Sequence, residues 1–226
     1  MNYNYDKILI DFDNTIWSNN DIKNSINNLK LLLKLISKYD IEIISGNTFE
    51  SIKSKIQSNI CNITEFNIPI WANVNSCKFL CGLPVSYISE FIIDEKDSIN
   101  ISNYLLDKFN IDCQKILLDN NIFNLKVKPL SNLERDLLIN NLYLSNILGN
   151  CKASKTGFTT VDIVSSKNDK KVLFDKLNYS KYNTLYIGDE IDSGNDSNIA
   201  SSCTDFIKVK SVKDTNKLLN KLLSEN

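Results

Sequence analysis

Apolar residues along the chain follow two rhythms. Short runs of strand length cover Lys7–Phe12, Ile41–Ile44 and Ile68–Ala72, and each reads as a strand buried on both faces. Between them lie stretches of helical period. Asp21–Lys38 carries Ile26, Leu29, Leu32, Leu33 and Ile36 on one face, and Phe49–Gln57 predicts a second helix. This β-α-β-α-β alternation predicts a parallel, doubly wound sheet.

From about Asn75 to Thr160 the alternation is lost. Phe79–Ile93, Ile116–Leu118 and Leu125–Val127 read as strands, and Ile99–Phe109 and Asn132–Ile147 as helices. Such runs predict an α+β insert. The first rhythm then resumes. Asp169–Leu177 predicts a helix, Thr184–Ile187 and Phe206–Val209 strands, and Val212–Leu223 a closing helix. The expected organisation is an α/β core of residues 1–74 and 161–226, interrupted by an inserted domain of residues 75–160.

The candidate chemistry sits where the strand patterns stop. The first strand ends in Asp11-Phe12-Asp13-Asn14-Thr15. In a continued extended backbone, Asp11 and Asp13 would point the same way. Two carboxylates facing one crevice repel each other and call for a cation. Mg²⁺ with a phosphate is the usual reason for such a pair. The Thr184–Ile187 strand also ends in acid, with Asp189, Glu190, Asp192 and Asp196 close together. One acidic loop is ordinarily just solvated; two loops, each following a buried strand pattern, predict a shared Mg²⁺ site. Gly46, Gly188 and Gly194 lie in these loops, where the backbone turns tightly or approaches a ligand.

Composition narrows the classes. The 226 residues are 42% hydrophobic and 23% charged, and the net charge is −1. No basic footprint for nucleic acid or an anionic membrane is visible. No apolar stretch has the length of a membrane span, and Met1–Lys7 lacks a signal-peptide pattern, so a cytoplasmic location is expected. Cysteines 61, 77, 81, 113, 151 and 203 are scattered and read as free thiols rather than zinc ligands. The chain has no histidine, which excludes Ser-His-Asp hydrolysis, Cys-His nucleophiles and His-ligated metals within a single chain. Acid–base work falls to Asp, Glu, Lys, Tyr or Cys. Arg135 is the only arginine, the residue type best shaped to fork a phosphate.

Taken together, Asp11–Thr15 (Asp-x-Asp-x-Thr), Ser45-Gly46, Lys170 and Gly188-Asp189-Glu190-Ile191-Asp192 (Gly-Asp-x-x-Asp) occur in the order found in the haloacid dehalogenase superfamily, and the chain resembles its phosphohydrolases. The resemblance covers residues 5–58 and 161–223 and places the insert where the family carries a C2-type cap. Val161-Asp162-Ile163, Asp169-Lys170 and Gly194-Asn195-Asp196 are similar to the Cof, sucrose-phosphatase and phosphomannomutase branch. The resemblance implies that Asp11 is the nucleophile and Asp13 the general acid and base. It gives Ser45, Gly46 and Lys170 to the transferring phosphate. It gives Asp11, Asp13 (through its backbone carbonyl) and Asp189 to Mg²⁺, with Asp192 or Asp196 completing a ligand position or its support. The position after Ser45-Gly46 is often arginine in this branch and is Asn47 here. Lys170 is singled out from Lys167, Lys171 and Lys176 by its register with Asp169 and Val172-Leu173.

Arg135 reads either as a surface ion pair with Glu134 or Asp136 or as a cap residue reaching substrate. Asn75, where the branch often carries Asn-Gly, reads as structural. The implied partner is a small phosphomonoester, a sugar phosphate by analogy. Phosphomannomutases hold a second phosphate with several cap arginines, and Arg135 alone favours a phosphatase. A phosphohexose mutase and a catalytically silent binding protein on this fold are the competing readings.

Overall fold

The structure, a computed structural model, describes residues 4–129, 131–156, 160–191 and 196–224. The chain divides into two compact units, residues 1–87 with 169–226, and residues 88–168.

The larger unit is built on a seven-stranded sheet. Its strands are β1 (Lys7–Asp11), β2 (Asp40–Ile44), β3 (Ile70–Ala72), β4 (Cys77–Leu80) and β5 (Leu83–Tyr87), joined later in the chain by β10 (Thr184–Gly188) and β11 (Asp205–Lys208). The order across the sheet is β11-β10-β1-β2-β3-β4-β5. Neighbours from β11 to β3 are parallel, and β3-β4-β5 are antiparallel. Helices α1 (Ile22–Leu35) and α2 (Phe49–Asn59) belong to this unit, as do three near the C-terminus: α5 (Lys170–Lys176), α6 (Ser197–Ala200) and α7 (Val212–Ser224). Asp21 caps α1 by accepting from the Asn24 amide at 3.2 Å, and Leu29, Leu32 and Leu35 are fully buried. Each such leucine contributes about 1.5–3 kcal/mol by leaving water.

The chain steps outward from β1 through β2 to β3, then returns to the other side of β1 with β10. The reversal lies between β1 and β10, and a crevice opens beyond the carboxyl ends of strands at such a point. Register fixes what meets there. Ile10 lies opposite Ile187 and Asp11 opposite Ile44, so Asp11, Ser45 and Gly188 emerge on one edge of the sheet.

The smaller unit is an α+β layer. Strands β6 (Cys113–Leu118), β7 (Asn121–Val127), β8 (Cys151–Thr156) and β9 (Thr160–Ser165) form an antiparallel sheet in the order β6-β7-β9-β8. Helices α3 (Glu95–Phe109) and α4 (Asn132–Leu144) supply Ile101, Leu105, Leu138 and Leu142 to a core shared with Leu125, Val127, Val161 and Ile163.

The boundary falls elsewhere than the 75–160 expected from sequence. Phe79–Ile93 does not form one strand of the insert. It contains most of the β4–β5 hairpin, which extends the larger sheet, and the smaller unit begins at Ile88. Among the described residues no helix is long and apolar enough to cross a membrane.

Candidate active site

Asp11 is the last residue of β1 and is 7% exposed. Its carboxylate accepts from the Lys170 ammonium at 2.8 Å. Lys170 opens α5 behind the N-cap Asp169, whose side chain accepts from the Lys171 amide at 2.7 Å. That cap sets the register. Lys170 turns inward and is buried, while Lys167 and Lys171 stay exposed. The same ammonium donates to Asp196 at 2.5 Å and to the Tyr186 hydroxyl at 3.2 Å.

Asp196 is fully buried beneath the end of β10. A Cβ on Gly188 would stand 2.3 Å from its carboxylate, so only glycine lets that carboxylate approach the strand end. Asp189 follows Gly188, and the Thr15 hydroxyl lies 3.5 Å from its carboxylate. Carboxylate oxygens of Asp11, Asp189 and Asp196 all lie within 4.8 Å of one another.

This crowding of charge shows in the protonation equilibria. Burial pushes the Asp11 carboxyl up to about 8; Lys170 pulls against that, and Asp196 and Asp13 add to it. Asp189 is raised by burial and then by Asp196 and Glu190. Burial works against the Lys170 ammonium, but Asp11, Tyr186 and Asp196 together hold it well above the ordinary lysine value. One ammonium therefore serves more carboxylates than it can neutralise. The donors are hard carboxylate oxygens, the set that suits Mg²⁺, and a divalent cation fits their charge. Asp11, Asp189 and Asp196 are the residues that would hold it.

Asp13 does not join this group through its side chain. The strand ends at Asp11, and the chain then coils: Asn14 has φ +54°, and the Ile16 and Trp17 amides both donate to the Phe12 carbonyl. The period-two rule stops with the strand. The Asp13 carboxylate instead accepts from Asn47 Nδ2, at 2.8 and 2.6 Å to its two oxygens, with Lys55 Nζ 3.7 Å away.

Ser45 is buried just past β2, and its hydroxyl accepts from the Asn47 amide at 3.0 Å. A Cβ on Gly46 would meet nothing within 4 Å, so the side-chain direction at this Cα is open space. The loop is held from behind by Asn73, Val74 and Asn75, which have φ of +53°, +59° and +62°. Val74 is β-branched, and such a conformation costs about 1–3 kcal/mol. Asn75, read from sequence as structural, is 6% exposed in this turn.

Arg135 lies in the smaller unit, half-buried on α4. Its neighbour Asp136 pairs with Lys155 at 2.7 Å. Asp192 and Gly194 lie outside the described residues, while Asp196 is in place. Sequence reasoning missed Asn47 as the partner of Asp13. The only signal was asparagine where the branch often has arginine. It also missed Tyr186 and Lys55, which sit among ordinary strand and helix residues. All six cysteines are free thiols.

No protein-family model matches the chain, and no curated protein matches it. Solved structures do match. A phosphatase of the haloacid dehalogenase superfamily from Bacteroides thetaiotaomicron aligns with a TM-score of 0.64 at 14% identity, over 96% of this chain and 94% of that one. A haloacid dehalogenase-like hydrolase from Bacillus subtilis aligns at 0.65 and 11% identity, over 94% and 92% of the two chains. A trehalose-6-phosphate phosphatase related protein aligns at 0.60 and 13%, over 96% of each. The fold is therefore that of haloacid dehalogenase superfamily structures, as the motifs implied.

Proposed function

We propose that the protein is a Mg²⁺-dependent phosphomonoester hydrolase acting on a small metabolite, with a sugar phosphate the favoured substrate. The observation that carries this reading is the Asp11 carboxylate at the end of β1, hydrogen-bonded to buried Lys170 and grouped with Asp189 and Asp196.

The chemistry follows from those groups. An Asp11 oxygen attacks phosphorus while the ester P–O bond breaks and its electron pair leaves with the alkoxide. Asp13, in its acid form, gives that oxygen a proton. Asp13 then takes a proton from water, whose oxygen attacks the aspartyl-phosphate. The bond to Asp11 breaks, and inorganic phosphate and the free carboxylate result. Asn47 orients the Asp13 carboxylate throughout, and Lys170 offsets negative charge on the phosphoryl oxygens. The Ser45 hydroxyl and the Gly46 amide are the phosphate's hydrogen-bond donors. A bound Mg²⁺ would supply the further positive charge that lets a carboxylate approach an anionic phosphate.

Residues 88–168 are read as a C2-type cap that supplies substrate contacts, with Arg135 the candidate for an anionic group. The likeness to a trehalose-6-phosphate phosphatase related protein supports a sugar phosphate. A single arginine supports hydrolysis over a mutase, which must grip two phosphates. The test is phosphate release from a panel of sugar phosphates and nucleotides, with Mg²⁺ and with chelator. Release only with Mg²⁺ supports the reading. Isomerisation of hexose phosphate under bisphosphate stimulation would favour the mutase. Bound Mg²⁺ without turnover of any phosphomonoester would favour a silent binding protein.

A further inference from the structure

The turn Asn73–Val74–Asn75 runs three successive residues at positive φ, with a β-branched valine at its centre. Glycine occupies none of these positions. Asparagine tolerates this region, but valine does not visit it without compulsion. Backbone strain of this kind persists where surrounding structure enforces it. The contacts of the turn show what is gained. The Asn73 amide donates to the Asn47 carbonyl at 2.8 Å, and the Asn75 amide to the Ser45 carbonyl at 3.1 Å. The Asn73 side-chain oxygen accepts from the Phe49 amide at 3.0 Å, tying the turn to the first residue of α2. The Ser76 amide closes the turn onto the Ala72 carbonyl at 2.9 Å.

These bonds dictate the orientation of the loop beyond β2. The Ser45 amide donates to Trp71 on the β3 side, and the Ser45 carbonyl accepts from Asn75 on that same side. Among the described residues no peptide bond is cis. In a trans peptide the N–H points opposite to the C=O. The Gly46 N–H is therefore turned to the β1 side, where Asp11 ends its strand opposite Ile44. The Asn47 carbonyl is pinned by Asn73, and its carboxamide reaches the other way to Asp13.

We infer that the left-handed turn Asn73–Val74–Asn75 is a positioning element, which holds the Ser45–Gly46–Asn47 loop from behind so that the Gly46 amide faces the phosphate and the Asn47 side chain faces Asp13. None of the three residues touches the reacting atoms; they act through the loop. The inference rests on the reading of Ser45-Gly46 as the phosphate loop, and its test separates the two.

The chain has six glycines, and of these only Gly46 and Gly194 follow a serine. Labelling with [¹⁵N]glycine and [¹³C-carbonyl]serine thus isolates the Gly46 amide almost alone in an NMR spectrum. Inorganic phosphate, added with Mg²⁺ to the whole protein, is the probe. In the unsubstituted protein the Gly46 signal should move as phosphate is added. In Asn73→Ala, the phosphate needed for half of that movement should rise at least about tenfold. Asn73→Asp keeps both the acceptor and the tolerance of positive φ, and should restore the response to within about twofold. Asn75→Ala, which removes only the asparagine side chain, should weaken the response in the same direction and serves if Asn73→Ala does not fold. A folded Asn73→Ala or Asn75→Ala with the unaltered phosphate response overturns the positioning role. A Gly46 signal indifferent to phosphate in the unsubstituted protein overturns the phosphate-loop reading itself.

Discussion

The ammonium of Lys170 lies 2.8 Å from the Asp11 carboxylate, and both groups are buried. A second buried carboxylate, Asp196, shares that ammonium at 2.5 Å. Removing the cation leaves buried negative charge uncompensated, which costs about 3–5 kcal/mol for a pair of this kind. Lys170→Met should therefore lower the unfolding free energy by about that amount, measured by urea denaturation in chelator. Phosphate release should also be lost. An unchanged urea midpoint would show that the pair is not the buried contact described.

Asn47 presents both of its contacts to Asp13 through one nitrogen. General acid–base catalysis contributes about 10²–10⁴ to rate. Freeing the carboxylate while keeping it in place should forfeit part of that, on the order of tenfold or more. Asn47→Ala should lower kcat by that factor with a smaller change in KM. Steady-state kinetics on the best substrate decide the matter; a pure KM effect would assign Asn47 to substrate binding instead.

Asp196 tests the metal site. If Asp11, Asp189 and Asp196 hold Mg²⁺, then Asp196→Asn should weaken Mg²⁺ binding by about tenfold or more, read by titration calorimetry. The thermal midpoint of the unsubstituted protein should rise with Mg²⁺ concentration, as for any ligand that binds only the folded state. Equal Mg²⁺ affinity in the variant would remove Asp196 from the ligand set.

The acid limit of stability should trace to Glu42. Burial raises this carboxyl, but Lys7, Lys78, Tyr179 and Trp71 more than offset it, and its folded value lies below the ordinary one. A depressed folded value means stability that is present above the unfolded value and lost as pH falls through the folded one. Glu42→Gln should therefore flatten the stability–pH curve below about pH 4, where unfolded glutamates take up protons. Parallel curves for the two proteins through that range would contradict the linkage.

Much of the core was legible because its signals are local. Ile8, Leu9 and Ile10 form an unbroken buried run, and Asp169 announces the start of α5 and with it the register of Lys170. What was not legible depended on partners distant in sequence. The hairpin β4–β5 reads as part of the insert because strand–helix alternation is lost there, yet it extends the larger sheet, with Leu83, Val85 and Tyr87 exposed on the edge strand. Strand β8, Cys-Lys-Ala-Ser-Lys-Thr, has too little apolar alternation to be seen without its neighbour β9. Alternation holds only within a strand, and β1 ends at Asp11, so the turn at Asn14 and the contact of Asp13 with Asn47 leave no mark in the sequence spacing. The hold of Asn73 and Asn75 on the Ser45 loop joins segments that no sequence spacing connects.

The most direct measurement compares the unsubstituted protein with Asp11→Asn, using the best substrate and Mg²⁺. The account predicts phosphate release by the first, with a phosphorylated form trapped by acid quench and located at Asp11 by peptide mass spectrometry. It predicts neither release nor label from the folded Asp11→Asn variant. Phosphate release by Asp11→Asn near the unsubstituted rate would contradict the assignment of Asp11 as nucleophile and, with it, the central claim.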